Sequence, residues 1–109
     1  MSQLASSIWG SSTTQQLTEV LLAIKDKKTM QNFIRDVMTE KEIIEISSRL
    51  EAARLLDDGV RYTEIIARTK LSSRTVARIS DWMRNGCDGY KEALYIIKHH
   101  LHIPPVSAE

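Results

Sequence analysis

Six cationic side chains fall between positions 59 and 86, namely Arg61, Arg68, Lys70, Arg74, Arg78 and Arg84, against only Glu64 and Asp81. The stretch just before it, 39–58, has the opposite sign, with three cations against six carboxylates. Arg74 and Arg78 stand one helical turn apart, so both project from one face of a helix. A guanidinium offers two parallel N–H donors. These fit the N7 and O6 acceptors of a guanine edge, or two oxygens of a phosphate. Ser73, Thr75 and Ala77 are interleaved with the arginines and are short enough to let a backbone approach a base edge. The chemistry this pattern supports is hydrogen bonding to double-stranded DNA. Ser73, Arg74, Ala77 and Arg78 form the outer face, and Thr75 borders it. Thr63 and Ser72 lie in the same footprint, and Arg61, Lys70 and Arg84 flank it as phosphate contacts.

Other chemistry is poorly supplied. His99, His100 and His102 form a short cluster, but metal binding needs converging ligands, and the only acidic residue beyond them is Glu109. An exposed helix end is the expected role, with no metal. Cys87 has no histidine beside it to activate it as a nucleophile. Glu40, Glu42 and Glu45 crowd a helix N-terminus, where the dipole favours them. No phosphate-cradling glycine loop occurs. The expectation is a non-enzyme with no catalytic residues and no cofactor.

The basic residues need elements to position them, and the spacing predicts a helix-turn-helix over 62–83. Ile66 and Ala67 are expected to give the first helix its buried contact, Leu71 to plug the turn and Ser72 to cap the second helix. Val76, Ile79 and Met83, at i, i+3 and i+7, would bury the inner face. Lys70 stands where such turns commonly have glycine. A left-handed conformation there would cost about 1 kcal/mol and bring a positive charge to the DNA side.

The remaining chain reads as helices with no β pattern. Leu17, Val20, Leu21 and Ile24 make an apolar stripe over 13–25. Phe33, Ile34, Val37 and Met38 mark a second helix over 28–37. A third begins at Thr39, where Thr39 and Glu42 have the form of a capping box. It ends at Asp57-Asp58-Gly59, with Gly59 a natural residue just past a helix end. Its apolar arc, Ile43, Ile46, Leu50 and Ala53 widened by Ile44, Leu55 and Leu56, is broad enough for more than one neighbour. A last helix is expected over 90–101, with Asp88 as its cap. This gives a flexible arm at 1–12, one helical domain at 13–102 and a tail at 103–109. No apolar run approaches the ~20 residues needed to span a membrane. The start does not read as a secretory signal. The single cysteine allows no internal disulfide, which fits a reducing cytoplasm.

From Thr39 to Arg78 the chain resembles the Trp repressor superfamily, on Thr39-Glu40-Lys41-Glu42, Ser48-Arg49-Leu50, Leu55-Leu56-Asp57-Asp58-Gly59 and Thr75-Val76-Ala77-Arg78. The segment Asn85-Gly86-Cys87-Asp88-Gly89-Tyr90-Lys91-Glu92-Ala93-Leu94 is similar to the YerC/YecD-type subgroup. The resemblance implies an all-α fold of six helices and an intertwined homodimer. It implies a repressor-like transcriptional regulator with two reader helices in successive major grooves, about 34 Å apart. It also implies a ligand pocket, in which Arg49 and Arg78 match two arginines that sandwich a tryptophan indole and Thr39 matches a nearby threonine. Ile79 and Trp82 replace a glycine and a serine of that pocket, and their bulk is expected to crowd it. DNA binding without a tryptophan co-repressor is therefore expected. The plainer roles are an ion pair to Glu45 for Arg49 and a phosphate contact for Arg78. The alternative function is a dimeric protein-interaction adaptor that binds no DNA.

Overall fold

The computed structural model describes residues 8–101. Among them, six helices of eight residues or more follow one another, with no strand: α1 (Ser12–Ala23), α2 (Lys27–Val37), α3 (Glu40–Asp57), α4 (Tyr62–Thr69), α5 (Ser73–Asn85) and α6 (Gly89–His100). The expected helices are all present, with ends shifted by no more than two residues. None is long and apolar enough to cross a membrane. The chain divides into two compact units, Met1–Ile43 and Ile44–Glu109.

The first unit is defined by its caps. Ser11 Oγ accepts from the Thr14 N–H at 3.2 Å and opens α1. The Asp26 carboxylate opens α2, accepting from the Thr29 hydroxyl and N–H, both at 2.7 Å. Those two bonds, the hydroxyl foremost, hold its carboxyl below the ordinary range. The capping box forms as expected: the Thr39 N–H donates to Glu42 Oε1 at 2.8 Å, and the Glu42 N–H to Thr39 Oγ1 at 3.1 Å. The expected arm is corrected in part. Residues 1–7 lie outside the described ones, as does the tail at 103–109. Ile8 and Trp9 are tied to α1, their carbonyls accepting from Thr14 Oγ1 at 2.7 Å and Gln15 Nε2 at 3.0 Å. The apolar stripes of α1 and α2 exist, but no residue of either helix is buried. Leu22 is 66% exposed and Val37 56%.

The second unit holds the core. Ala52, Ala53 and Leu55 of α3, Ile65 of α4, and Val76 and Ile79 of α5 form one buried cluster. Each fully buried aliphatic side chain contributes about 1.5–3 kcal/mol, so Ile65, Val76 and Ile79 anchor this unit. The alanines allow close helix approach. Residues earlier on α3 stay bare, Ile44 at 60% and Ile46 at 54% exposed. Gly59 ends α3 with φ +81°, a conformation that glycine adopts without steric cost. Its N–H donates to the Leu56 carbonyl and that of Val60 to the Leu55 carbonyl, both at 3.0 Å. This crossed pair satisfies two carbonyls at the helix end. The buried contact of α4 differs from expectation: Ile65 is fully buried, Ile66 half-buried and Ala67 exposed. Asp88 caps α6 as expected, its carbonyl accepting from the Glu92 N–H at 3.1 Å, but through backbone alone: φ is +66° and its side chain makes no cap bond. Its carboxylate lies 3.4 Å from Lys91 Nζ instead.

Candidate nucleic-acid interface

The turn between α4 and α5 is built from the residues at its centre. Lys70 closes α4 in the left-handed region, φ +64° and ψ 13°, donating its N–H to the Ile66 carbonyl at 2.9 Å. A non-glycine residue pays a steric penalty there of about 1–2 kcal/mol. Thr69, the one buried polar residue among the described residues, braces the bend. Its hydroxyl donates to the Ile65 carbonyl at 2.7 Å and accepts from the Leu71 N–H at 3.3 Å. Leu71 is half-buried against the core. Ser72 Oγ accepts from the Thr75 N–H at 3.1 Å and contacts the Thr75 hydroxyl at 3.0 Å, starting α5. The cap expected of Ser72 is thus present, and Ser72 and Thr75 hold the helix start together.

Burial of Val76 and Ile79, with Met83 half-buried, turns the other side of α5 outward. Ser73, Arg74, Ala77, Arg78 and Asp81 are exposed there, and Thr75 is half-buried at the border. Arg61 stands at the start of α4 and Thr63 in its first turn, both exposed. The ten lysines and arginines of the second unit sort into two sets. Six have an acceptor: Arg49 on Glu45 (2.8 Å), Arg54 on Glu51 (2.6 Å), Arg68 on Glu64 (3.4 Å), Arg84 on Ser80 Oγ (3.0 Å), Lys91 on Asp88 (3.4 Å) and Lys98 on Asp57 (2.8 Å). Four have none among the described residues: Arg61, Lys70, Arg74 and Arg78. All four lie at the start of α4, in the turn after it or on the outer face of α5. Exposed ion pairs add little stability. What the sorting decides is which cations stand free to meet another molecule's acceptors. Arg84 departs from the set. It sits a turn or more beyond Arg78 and lines a cleft with Lys91, Tyr95 and Lys98.

An open, mostly apolar groove of about 620 Å³ is lined by Ile46, Arg49, Leu50, Trp82, Gly86, Cys87, Gly89, Tyr90 and Ala93. Arg49 lies in it, paired with Glu45, and its Nε is buried with no hydrogen-bond partner among the described residues. Burial in the groove pushes the Tyr90 hydroxyl above its ordinary pKa, and the Arg49 charge opposes the shift. Arg78 does not line this groove, and Thr39 belongs to the first unit as a helix cap. Of the two bulky replacements, Trp82 lines the groove and is 43% exposed. Ile79 is in the core with no exposed surface, because it shares the inner face with Val76.

Thr69 and the Asn85–Asp81 bond, 2.9 Å, were not legible as site features. A threonine four residues after Ile65 at the end of a short helix is the one available signal, since such hydroxyls bond back to the i−4 carbonyl.

The Trp repressor protein family model matches residues 12–97. The chain is 35% identical over 83 residues to the uncharacterized protein YerC of Bacillus subtilis (strain 168), an alignment that spans 76% of this chain and 80% of that one. A solved structure of a TrpR-like protein from Eubacterium eligens ATCC 27750 superposes with a TM-score of 0.79 at 28% identity, covering 85% of this chain and 96% of the other. A second solved structure, from Staphylococcus aureus, agrees in fold at 22% identity and TM-score 0.79, over 90% and 96% of the two chains.

Proposed function

The chain belongs to the Trp repressor family, and from that premise we propose that it is a sequence-specific DNA-binding regulator that reads the duplex as a homodimer and needs no tryptophan. In this reading α4, the turn and α5 form a helix-turn-helix with α5 in the major groove. The observation that carries it is the sorting of the cations. Every cation of the second unit away from α4, its turn and the outer face of α5 has an acceptor, and the four free ones gather there. Ser73 and Ala77 on the same face leave room for close approach. Tryptophan independence is supported by the Trp82 indole that already lines the groove, of whose lining Arg78 is not a part. Dimerisation is supported by the bare apolar faces of α1 and α2.

The test is binding of random-sequence duplex DNA across a salt series, with and without millimolar L-tryptophan. Affinity is expected to fall steeply with salt. Lys70→Ala is expected to reduce the slope of log K against log salt by about 0.9 for each phosphate that the protein no longer neutralises, equally on all sequences. Added tryptophan is expected to change nothing. Absence of salt-dependent binding would favour an adaptor that binds protein only, and a tenfold gain on adding tryptophan would refute the ligand-free reading.

A further inference from the structure

Resting on the DNA-binding reading above, we propose that each half-site of the DNA contains two guanines separated by one base pair, read through N7 and O6 by Arg74 and Arg78. The two guanidinium groups are the cations that are both free of any acceptor among the described residues and carried on the outer face of α5. Arg61 and Lys70 are free as well, but they stand before α5, at the start and the end of α4.

Three features of this face point to base reading by the pair. The first is spacing. In the proposed complex α5 lies with its axis along the rise of the base stack; four residues of helix rise about 6 Å, close to two base steps of about 3.4 Å, so two arginines one turn apart would then reach bases with one pair between them. The second is the neighbourhood of the arginines. Ala77 offers only a methyl group on the exposed face, and Ser73 only a hydroxyl, so no long side chain holds the backbone off the base edges. The third is Asp81, the carboxylate nearest to Arg78 along this face. Its Oδ1 accepts from Asn85 Nδ2 at 2.9 Å, and it forms no ion pair with Arg78. Asn85 thus engages the one group on the face that could neutralise a reading arginine. Guanine is the base whose major-groove edge presents two acceptors to a guanidinium fork; adenine offers one acceptor beside a donor.

The experiment uses the full chain and duplexes recovered by selection from a random pool. Each guanine of the recovered half-site is then replaced singly by 7-deazaguanine, which removes the N7 acceptor and leaves base pairing intact. The expected result is a pair of guanines with one base pair between them, each 7-deaza replacement weakening binding about tenfold. Arg74→Ala should abolish the effect at one guanine, and Arg78→Ala at the other. Both side chains are exposed, so neither change threatens the fold. Two results overturn the proposal while the DNA-binding reading stands. One is a selected site without such a guanine pair; the other is salt-sensitive binding that is indifferent to 7-deazaguanine. Recovery of no duplex at any salt concentration overturns both together.

Discussion

At the scale of single residues, Thr69 joins three positions of a turn through one hydroxyl, donating to the Ile65 carbonyl and accepting from the Leu71 N–H. Valine has the same shape and neither hydrogen bond. Thr69→Val is therefore expected to lower stability by about 1–3 kcal/mol, since a half-buried N–H loses its acceptor. Thr69→Ser should retain most of the stability. Urea denaturation of the three chains measures this, and equal midpoints for threonine and valine would contradict the brace. The site was legible at the side chains that face outward, because helical periodicity fixes a face. It was less legible in α4. A helix of eight residues with adjacent Ile65 and Ile66 does not reveal by period which of the two is inside. Ile66 and Ala67 were expected at the contact; Ile65 and Thr69 are buried there, Ile66 packs half-buried against the core beside them, and Ala67 is exposed. Hydropathy gives no hint of a buried threonine, since its place follows from a backbone bond.

At the scale of elements, helix ends were the most legible feature, because caps are local chemistry. Ser72, Gly59 and the Thr39–Glu42 box all act as their residue types suggest. Asp88 stands at the cap position expected of it, with a left-handed backbone and without a side-chain cap bond. The connection from α5 to α6 depends instead on Gly86. A Cβ at that position would stand 2.5 Å from the Trp82 carbonyl oxygen, which belongs to backbone and cannot swing aside. At Gly89 a Cβ would meet nothing within 4 Å. Gly86→Ala is expected to cost about 1–3 kcal/mol through forced backbone movement. Gly89→Ala should stay within about 0.5 kcal/mol of the parent chain. Thermal unfolding of the pair reads the difference, and similar losses in both would show that the close approach is not limiting.

At the scale of the whole molecule, large apolar side chains among the described residues are left in water. Leu17, Leu22, Val37, Ile44, Ile46 and Trp82 are all exposed. Large exposed apolar patches mark surfaces that another protein covers. A homodimer at micromolar concentration is expected, with a melting temperature that rises with protein concentration. Sedimentation of a compact, folded monomer with a concentration-independent melting temperature would refute it. Whole-molecule burial was the least legible level in the sequence. The stripe of α1 reads the same whether its own chain or a second copy covers it. Most of these residues lie on α1, α2 and the first turns of α3, and Trp82 of α5 lines the groove, whereas the free arginines lie at the start of α4 and on the outer face of α5. In the proposed reading, the residues that would bring two chains together are thus different from those that would meet DNA. A gene copy encoding Arg74→Ala would therefore yield subunits that still pair with normal ones. Each mixed pair would hold one working arm and one silent arm, and the altered copy would act dominantly over the normal one in the same cell.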